Sequence, residues 1–267
     1  MSETPAEAAK RLVRSQFSAA ATGYVSGAVF TERDDLERML ALAAPSSLEV
    51  ALDVATGGGH TALAFAPRVR RVVATDLTPE MLAAAHRHLA GAGGAGIRLA
   101  VADAEQLPFA AASFDIVTAR LAPHHFPRPE VFVAEAARVL RPGGRFVLLD
   151  NMAPEEPELD AFLNRLEVWR DPSHVRAHRA SEWRAMLERA GLQVLVVDPL
   201  VRKRYVFADW TARMRMTEAD RSLLEGWLLQ ASSPCASYFA LVVADGRVLS
   251  LDATFGAVLA RRGAAQP

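Results

Sequence analysis

An acid stands just ahead of three glycines in "ALDVATGGGH", the stretch from Ala51 to His60. Gly57, Gly59 and Ala62 satisfy the pattern G-x-G-x-x-G/A, and Asp76, nineteen residues after Gly57, occupies the place of a ribose-binding acid. Taken alone, that pattern fits a nicotinamide dinucleotide. Asp53 points to a ligand of the other charge. A carboxylate about 4 Å from a unit charge interacts with it by roughly 4 kcal/mol at an effective dielectric of about 20. Beside a pyrophosphate that interaction is a penalty, and beside an ammonium or a sulfonium it is an attraction. The glycines keep a purpose, because an amino-acid-like part of the ligand then lies against bare backbone. Asp53 can also cap the following turn through loop amides, and the two roles are compatible.

The segment "ADAEQLPF" supports the cationic ligand. Asp103 can accept a hydrogen bond from an adenine amino group. Ala104 leaves room for the ring and offers its backbone N–H to a ring nitrogen. Further on, "LAPHHFPRP" presents His124 and His125, either of which can remove a proton from a phenol or an enolisable carbon. Both histidines can instead pack the loop or cap a helix. His174 and His178 lie four apart, but no acid or cysteine near them completes a metal set, so no metal is expected. Cys235 is the only cysteine, which excludes an internal disulfide.

Alternating strands and helices must hold these residues. "LEVALDVA", "VRRVVATD", "IRLAVAD", "FDIVTAR" and "RFVLLDN" read as apolar strands, with the helices "HTALAFAP", "TPEMLAAAHRHLAG" and "PEVFVAEAARVL" between them. Thr78, Pro79 and Glu80 start the second of these helices as N-cap, first position and first-turn acid. Strands so uniformly apolar belong to a parallel sheet covered on both faces. The chain is therefore an α/β protein with a doubly wound sheet. "PAEAAKRLVRSQF" and "TERDDLERMLALAA", the latter capped by Thr31, read as helices ahead of it. "QVLVVDPLV" is a sixth strand, and the Asp245-Gly246 hairpin leads to a last strand that can pair with it antiparallel. "AGAGGAG" follows a helix rather than a strand and reads as a turn, not a phosphate loop.

The run from Leu48 to Asn151 resembles the class I S-adenosylmethionine-dependent methyltransferases. It is most similar to the small-molecule (methyltransferase type 11) group that includes the ubiquinone and menaquinone biosynthesis enzymes. "LDVATGGGHTALAFA", "VVATDLTPEML", "ADAEQLPFAAASFDIV" and "LRPGGRFVLLD" carry the likeness, in order and at the family's spacing. The likeness extends through "RDPSHVRAHRASEWRAMLERAGL" and fades over residues 200–250. It implies a mostly parallel seven-stranded, Rossmann-like sheet with a helical N-terminal segment and inserted cap elements. It also implies S-adenosylmethionine as cofactor. Asp53, Thr56, Gly57 and Gly59 would surround the methionine part, and Asp76 would hold the ribose with Leu77 beside the adenine. Asp103 and Ala104 take the adenine edge, Met81 packs under the cofactor or simply in the core, and Arg120 meets the carboxylate or points to solvent. DNA amino-methyltransferases carry Asn/Asp-Pro-Pro-aromatic where this chain has Ala122-Pro123-His124-His125, which disfavours a nucleic-acid substrate.

Composition agrees with this. The 267 residues are 51% hydrophobic and carry 30 basic against 31 acidic side chains, net −1, without the basic excess of a nucleic-acid binder. The basic run Val201–Tyr205 reads as a solvated face. Neither a signal-peptide core nor a membrane-length apolar run occurs, so a cytoplasmic monomer or homodimer without membrane insertion is expected. Three segments follow. Residues 1–45 close over the cofactor with Tyr24, 46–200 form the cofactor-binding core, and 201–267 supply a helical cap and terminal strands. In the cap, Trp210, Met214, Met216 and Trp227 either line an apolar acceptor pocket or pack a core. The expected activity is methyl transfer to a small apolar or aromatic acceptor. The alternatives are an NAD(P)-dependent oxidoreductase and a cofactor-binding protein without transferase activity.

Overall fold

The apolar runs become the parallel inner strands of one sheet. The computed structural model describes residues 3–21, 33–94 and 96–264, so Tyr24 and Thr31 lie outside the described residues. Strands β1 (Val50–Val54), β2 (Arg71–Asp76), β3 (Arg98–Val101), β4 (Phe114–Arg120) and β5 (Leu140–Ala153) run parallel in the order β3-β2-β1-β4-β5. β7 (Leu192–Val206) and β9 (Arg247–Arg262) complete the main path, with β9 antiparallel to both β5 and β7. Two short strands escaped the sequence pattern: β6 (His178–Arg179) pairs with β5, and β8 (Val242–Ala244) pairs with β9. Two or three residues are too few to show a period of two.

Strand order reverses at β1, which has β2 on one side and β4 on the other. In such sheets the carboxyl ends of these strands open onto a crevice. Successive residues of β1 serve opposite faces. Val50, Leu52 and Val54 join a core with α5 (Pro129–Val139) and α7 (Ala180–Arg189), through Phe132, Val133, Trp183 and Leu187. Ala51 joins a second core with α2 (Arg33–Ala43) and α3 (His60–Phe65), through Met39, Ala43 and Phe65. Helix α1 (Pro5–Ala20) starts on a capping box in which Glu7 N–H donates to Thr4 Oγ1 and Thr4 N–H to Glu7 Oε2. Thr78 does precede α4 (Pro79–Gly91), but its side chain makes no cap bond; its N–H donates instead to Asp76 Oδ1 at 2.9 Å.

Beyond the core, β7 and β9 continue as a two-stranded ribbon that carries α8 (Phe207–Arg213) and α9 (Glu218–Leu228). β7 runs through Val201–Tyr205, where Arg202 and Arg204 do stand on a solvated face and Lys203 departs from that reading. The strand's alternation turns Lys203 inward, where its side chain is 9% exposed. Trp210 is buried in a third cluster with Phe207, Leu224, Leu228, Val248 and Leu251, and the Arg170 guanidinium lies 4.6 Å from its ring centroid. Met216 and Trp227 pack against the same cluster, and Trp227 stacks on Phe162 of α6 (Pro157–Arg170) at 4.6 Å. Trp210, Met216 and Trp227 thus pack a cap core, and neither they nor Met214 are among the residues that line the crevice. Deleting the Trp210 indole should then cost about 3–5 kcal/mol as a cavity. Trp210→Ala is expected to lower the urea midpoint of unfolding accordingly without changing what the crevice binds.

Candidate functional site

The glycine loop leaves β1 in left-handed conformations, with φ +54° at Ala55, +56° at Gly57 and +85° at Gly59. Three of its amides are already engaged. Thr56 N–H reaches Thr75 O at 2.8 Å, Gly59 N–H reaches Thr56 O at 2.9 Å, and Gly57 N–H reaches Asp76 Oδ2 at 3.0 Å. Asp53 sits behind the loop, fully buried. Its Oδ2 accepts from the Thr56 hydroxyl at 2.6 Å and its Oδ1 from the Thr118 hydroxyl at 2.7 Å, Thr118 being its register partner on β4. Burial pushes its pKa up to about 6, against the lowering effect of both hydroxyls and of Arg120. Of the two roles expected of Asp53, the turn-holding one is seen, through the Thr56 hydroxyl, while direct contact with a ligand is not, because Asp53 does not line the cleft. Gly59 also stands off the cleft. It precedes α3 at positive φ, where a Cβ would crowd Leu89 at 3.1 Å.

Thr56, Gly57, Asp76, Leu77, Met81, Asp103, Ala104, Arg120 and His125 do line one cleft, of about 920 Å³ including its open mouth. Asp76 meets it from the end of β2, each oxygen holding one loop amide, and burial raises its pKa. Asp103 is engaged too: Glu105 N–H donates to Oδ1 at 2.9 Å and Lys10 Nζ to Oδ2 at 2.6 Å. Lys10 also reaches the buried Glu105 Oε2 at 2.5 Å, an oxygen that Arg128 shares.

Lys10 belongs to α1, which roofs the cleft. Lys10, Val13 and Phe17 line the roof, Phe17 packs near Met81, Ala84 and Ala21, and its ring stands edge-on to His125 at 5.0 Å. The covering role expected of residues 1–45 with Tyr24 includes this helix, although the sequence alone did not single out these three side chains. Their spacing of three and four residues on one helical face was the available signal. His60, Thr61, Glu105 and Phe126, also on the cleft, were missed as well.

The two histidines divide. His124 is buried off the cleft, with its N–H and Nδ1–H donating to the two oxygens of Asp150 at 2.8 and 2.6 Å. Burial opposes its charge, but Asp150, aided by Glu167 and Asp171, holds its pKa above the ordinary value. His125 donates Nδ1–H to Ser173 O at 2.9 Å, which leaves Nε2 as the lone-pair nitrogen. Burial and the neighbouring His124 charge, 4.1 Å between ring centroids, push its pKa down. Its imidazole is therefore neutral at physiological pH. His174 stacks on His124 at 5.4 Å and donates Nε2–H to Asn164 Oδ1.

Arg120 closes the end of the cleft nearest the glycine loop. Its Nε donates to Thr61 Oγ1 at 3.3 Å, and its Nη1 lies 3.6 Å from Asp35 Oδ2.

Residues 52–148 match a family model described as a methyltransferase domain. The chain is 45% identical over 170 residues to the uncharacterized methyltransferase YcgJ of Bacillus subtilis, covering 64% of this chain and 67% of that protein. It is 37% identical over 117 residues to the ubiquinone/menaquinone biosynthesis C-methyltransferase UbiE of Rubrivivax gelatinosus, covering 44% of this chain and 45% of that one. Among solved structures, BH2331 of Bacillus halodurans C-125 superimposes with a TM-score of 0.84 at 42% identity, over 86% of this chain and 99% of that chain.

The buried Asp53 makes stability depend on pH. Because burial raises its folded pKa from the ordinary 3.8 to about 6, its contribution is full in acid and lost as pH rises through that window. Asp53→Asn carries no such charge. Its stability relative to the unsubstituted protein should climb between about pH 4 and pH 7, as measured by urea unfolding at both ends. A difference independent of pH would mean that Asp53 does not titrate in the folded protein.

Proposed function

The chain belongs to the methyltransferase family, and from that premise we propose that it moves a methyl group from S-adenosylmethionine to a small acceptor with an apolar or aromatic body. One observation carries the choice of cofactor: three amides of the glycine loop are spent on Thr75, Thr56 and Asp76. A pyrophosphate would need those donors. Among the described residues that line the cleft, the carboxylates Asp76, Asp103 and Glu105 outnumber the cations Lys10 and Arg120. That donor set suits a cationic nucleoside without phosphate. The comparisons do not favour the oxidoreductase alternative.

In this reading Asp76 receives the ribose hydroxyls, since each of its oxygens keeps a lone pair beyond the loop amide it already accepts. Leu77 and Met81 flank the adenine, and Asp103 with the Ala104 N–H takes its edge, Lys10 retaining Glu105. Thr56, Gly57 and Arg120 face the amino-acid part. When bound, the cofactor supplies an electrophilic methyl on a sulfonium and leaves as a neutral thioether. The protein's work is then alignment and exclusion of water. α1 supplies the exclusion by laying Val13 and Phe17 over the cleft.

His125 offers Nε2 to the acceptor's proton. With its pKa below the ordinary value it accepts a hydrogen bond better than it captures a proton, which suits an acidic phenol or enol that ionises readily. His124 acts through it: clamped by Asp150, it touches the His125 ring and not the cleft. No described helix is long and apolar enough to cross a membrane. The proposal also includes a cytoplasmic setting, a monomer or homodimer, and no nucleic-acid partner, the last resting on the net charge of −1.

Calorimetry tests the cofactor first. S-adenosylhomocysteine should bind, and Asp76→Ala should weaken it by about 1–3 kcal/mol through the lost charged hydrogen bonds. Binding of NADH with S-adenosylhomocysteine ignored would overturn the reading. His125→Ala should leave that affinity unchanged and slow labelled-methyl incorporation into a panel of phenols and enolisable diketones on the order of 10- to 100-fold. Equal incorporation would remove His125 from the chemistry.

A further inference from the structure

Three charged side chains meet in the interior beside the loop end of the cleft, and they come from distant parts of the chain. Asp35 is on α2, Arg120 ends β4 and Lys203 is on β7; their side chains are 4%, 5% and 9% exposed. Lys203 Nζ donates to Asp35 Oδ2 and also lies 4.8 Å from the Phe255 ring centroid. The same Oδ2 is 3.6 Å from Arg120 Nη1, beyond hydrogen-bond distance. Two cations thus share one carboxylate oxygen, and Lys203 holds it. Asp53 also acts on Arg120, and its oxygens are bonded by Thr56 and Thr118.

An unshared carboxylate in the interior draws any cation within reach, because burial without a partner is costly. Arg120 is within reach of Asp35. Lys203 satisfies Asp35 first and so leaves the guanidinium on the cleft wall, oriented by Thr61. Arg120 on the wall then offers its charge to the carboxylate of an amino-acid end.

We propose that Lys203 is a positioning residue for the cofactor: by holding Asp35 it keeps Arg120 turned to the cleft, where the guanidinium receives the carboxylate of the amino-acid end. The inference rests on the S-adenosylmethionine reading above. It gives the terminal ribbon a part in ligand recognition although no residue of that ribbon lines the cleft. Without Lys203, Asp35 pairs with Arg120 and withdraws it. A second link between α2 and β7, from Arg38 to Asp198, keeps the helix docked when Lys203 is changed.

The test compares two ligands by calorimetry. S-adenosylhomocysteine has the carboxylate, and 5′-methylthioadenosine keeps the nucleoside and thioether without it. Lys203→Met should weaken S-adenosylhomocysteine about tenfold, as loss of one charge-assisted contact would, and leave methylthioadenosine within about twofold. The double variant Lys203→Met/Asp35→Asn, in which the competing carboxylate is gone, should regain S-adenosylhomocysteine affinity to within about threefold of the starting protein. Equal weakening of both ligands, no weakening of either, or no recovery in the double variant would each overturn the proposal. If the unsubstituted protein binds neither ligand, the cofactor reading itself fails and takes this inference with it. If it binds both and only the variants disagree, the fault lies with Lys203.

Discussion

Two threonine hydroxyls on one buried carboxylate hold the site together. Asp53 binds Thr56 in the glycine loop and Thr118 on the neighbouring strand, so the loop is tied to β1 and β4 at the point where strand order reverses. The arrangement raises the carboxylate's pKa by burial, which is the cost of placing a charge there. What it achieves is a loop whose amides face inward and back to Asp76. A phosphate loop presents those groups to its ligand. This one presents bare glycine backbone and a rim of acids.

The same economy of charge runs around the cleft. Lys10 answers Asp103 and Glu105 at one end, and Arg120 stands against Asp35 and Asp53 at the other. Each pair joins the sheet to an element that covers or supports it, α1 in the first case and α2 in the second. Such bonds are strong because the groups are largely out of water, and each partner would be costly to leave alone. His124 and Asp150 repeat the device beside His125, whose pKa is held down by burial and by the charge on His124.

Local pattern was enough to place the five parallel strands and the helices between them, and with the family resemblance it found nine residues of the cleft. Apolar runs of four to eight residues, glycine turns and N-terminal helix signals are short-range consequences of backbone sterics and burial. It did not separate a residue on the cleft from one just behind it. Asp53 and Asp76 are both acids at strand ends, yet one is consumed by hydroxyls and the other faces ligand space. His124 and His125 are adjacent in the chain, and only one of them reaches the cleft. Trp210 and Trp227, at helical spacing, pack a cap core where an acceptor pocket was an open possibility.

By itself, the order of residues determined an α/β fold with a ligand crevice at the carboxyl ends of the first three strands, because strand and helix periodicity and turn chemistry act over a few residues. Only the tertiary structure decided that Lys10 meets Asp103, that Phe17 meets His125, and that Asp35, Arg120 and Lys203 converge. Those partners lie 93, 108 and up to 168 residues apart, and no local period reports contacts over such separations. The choice between them rests on which charges the folded interior brings within reach and leaves no water to screen.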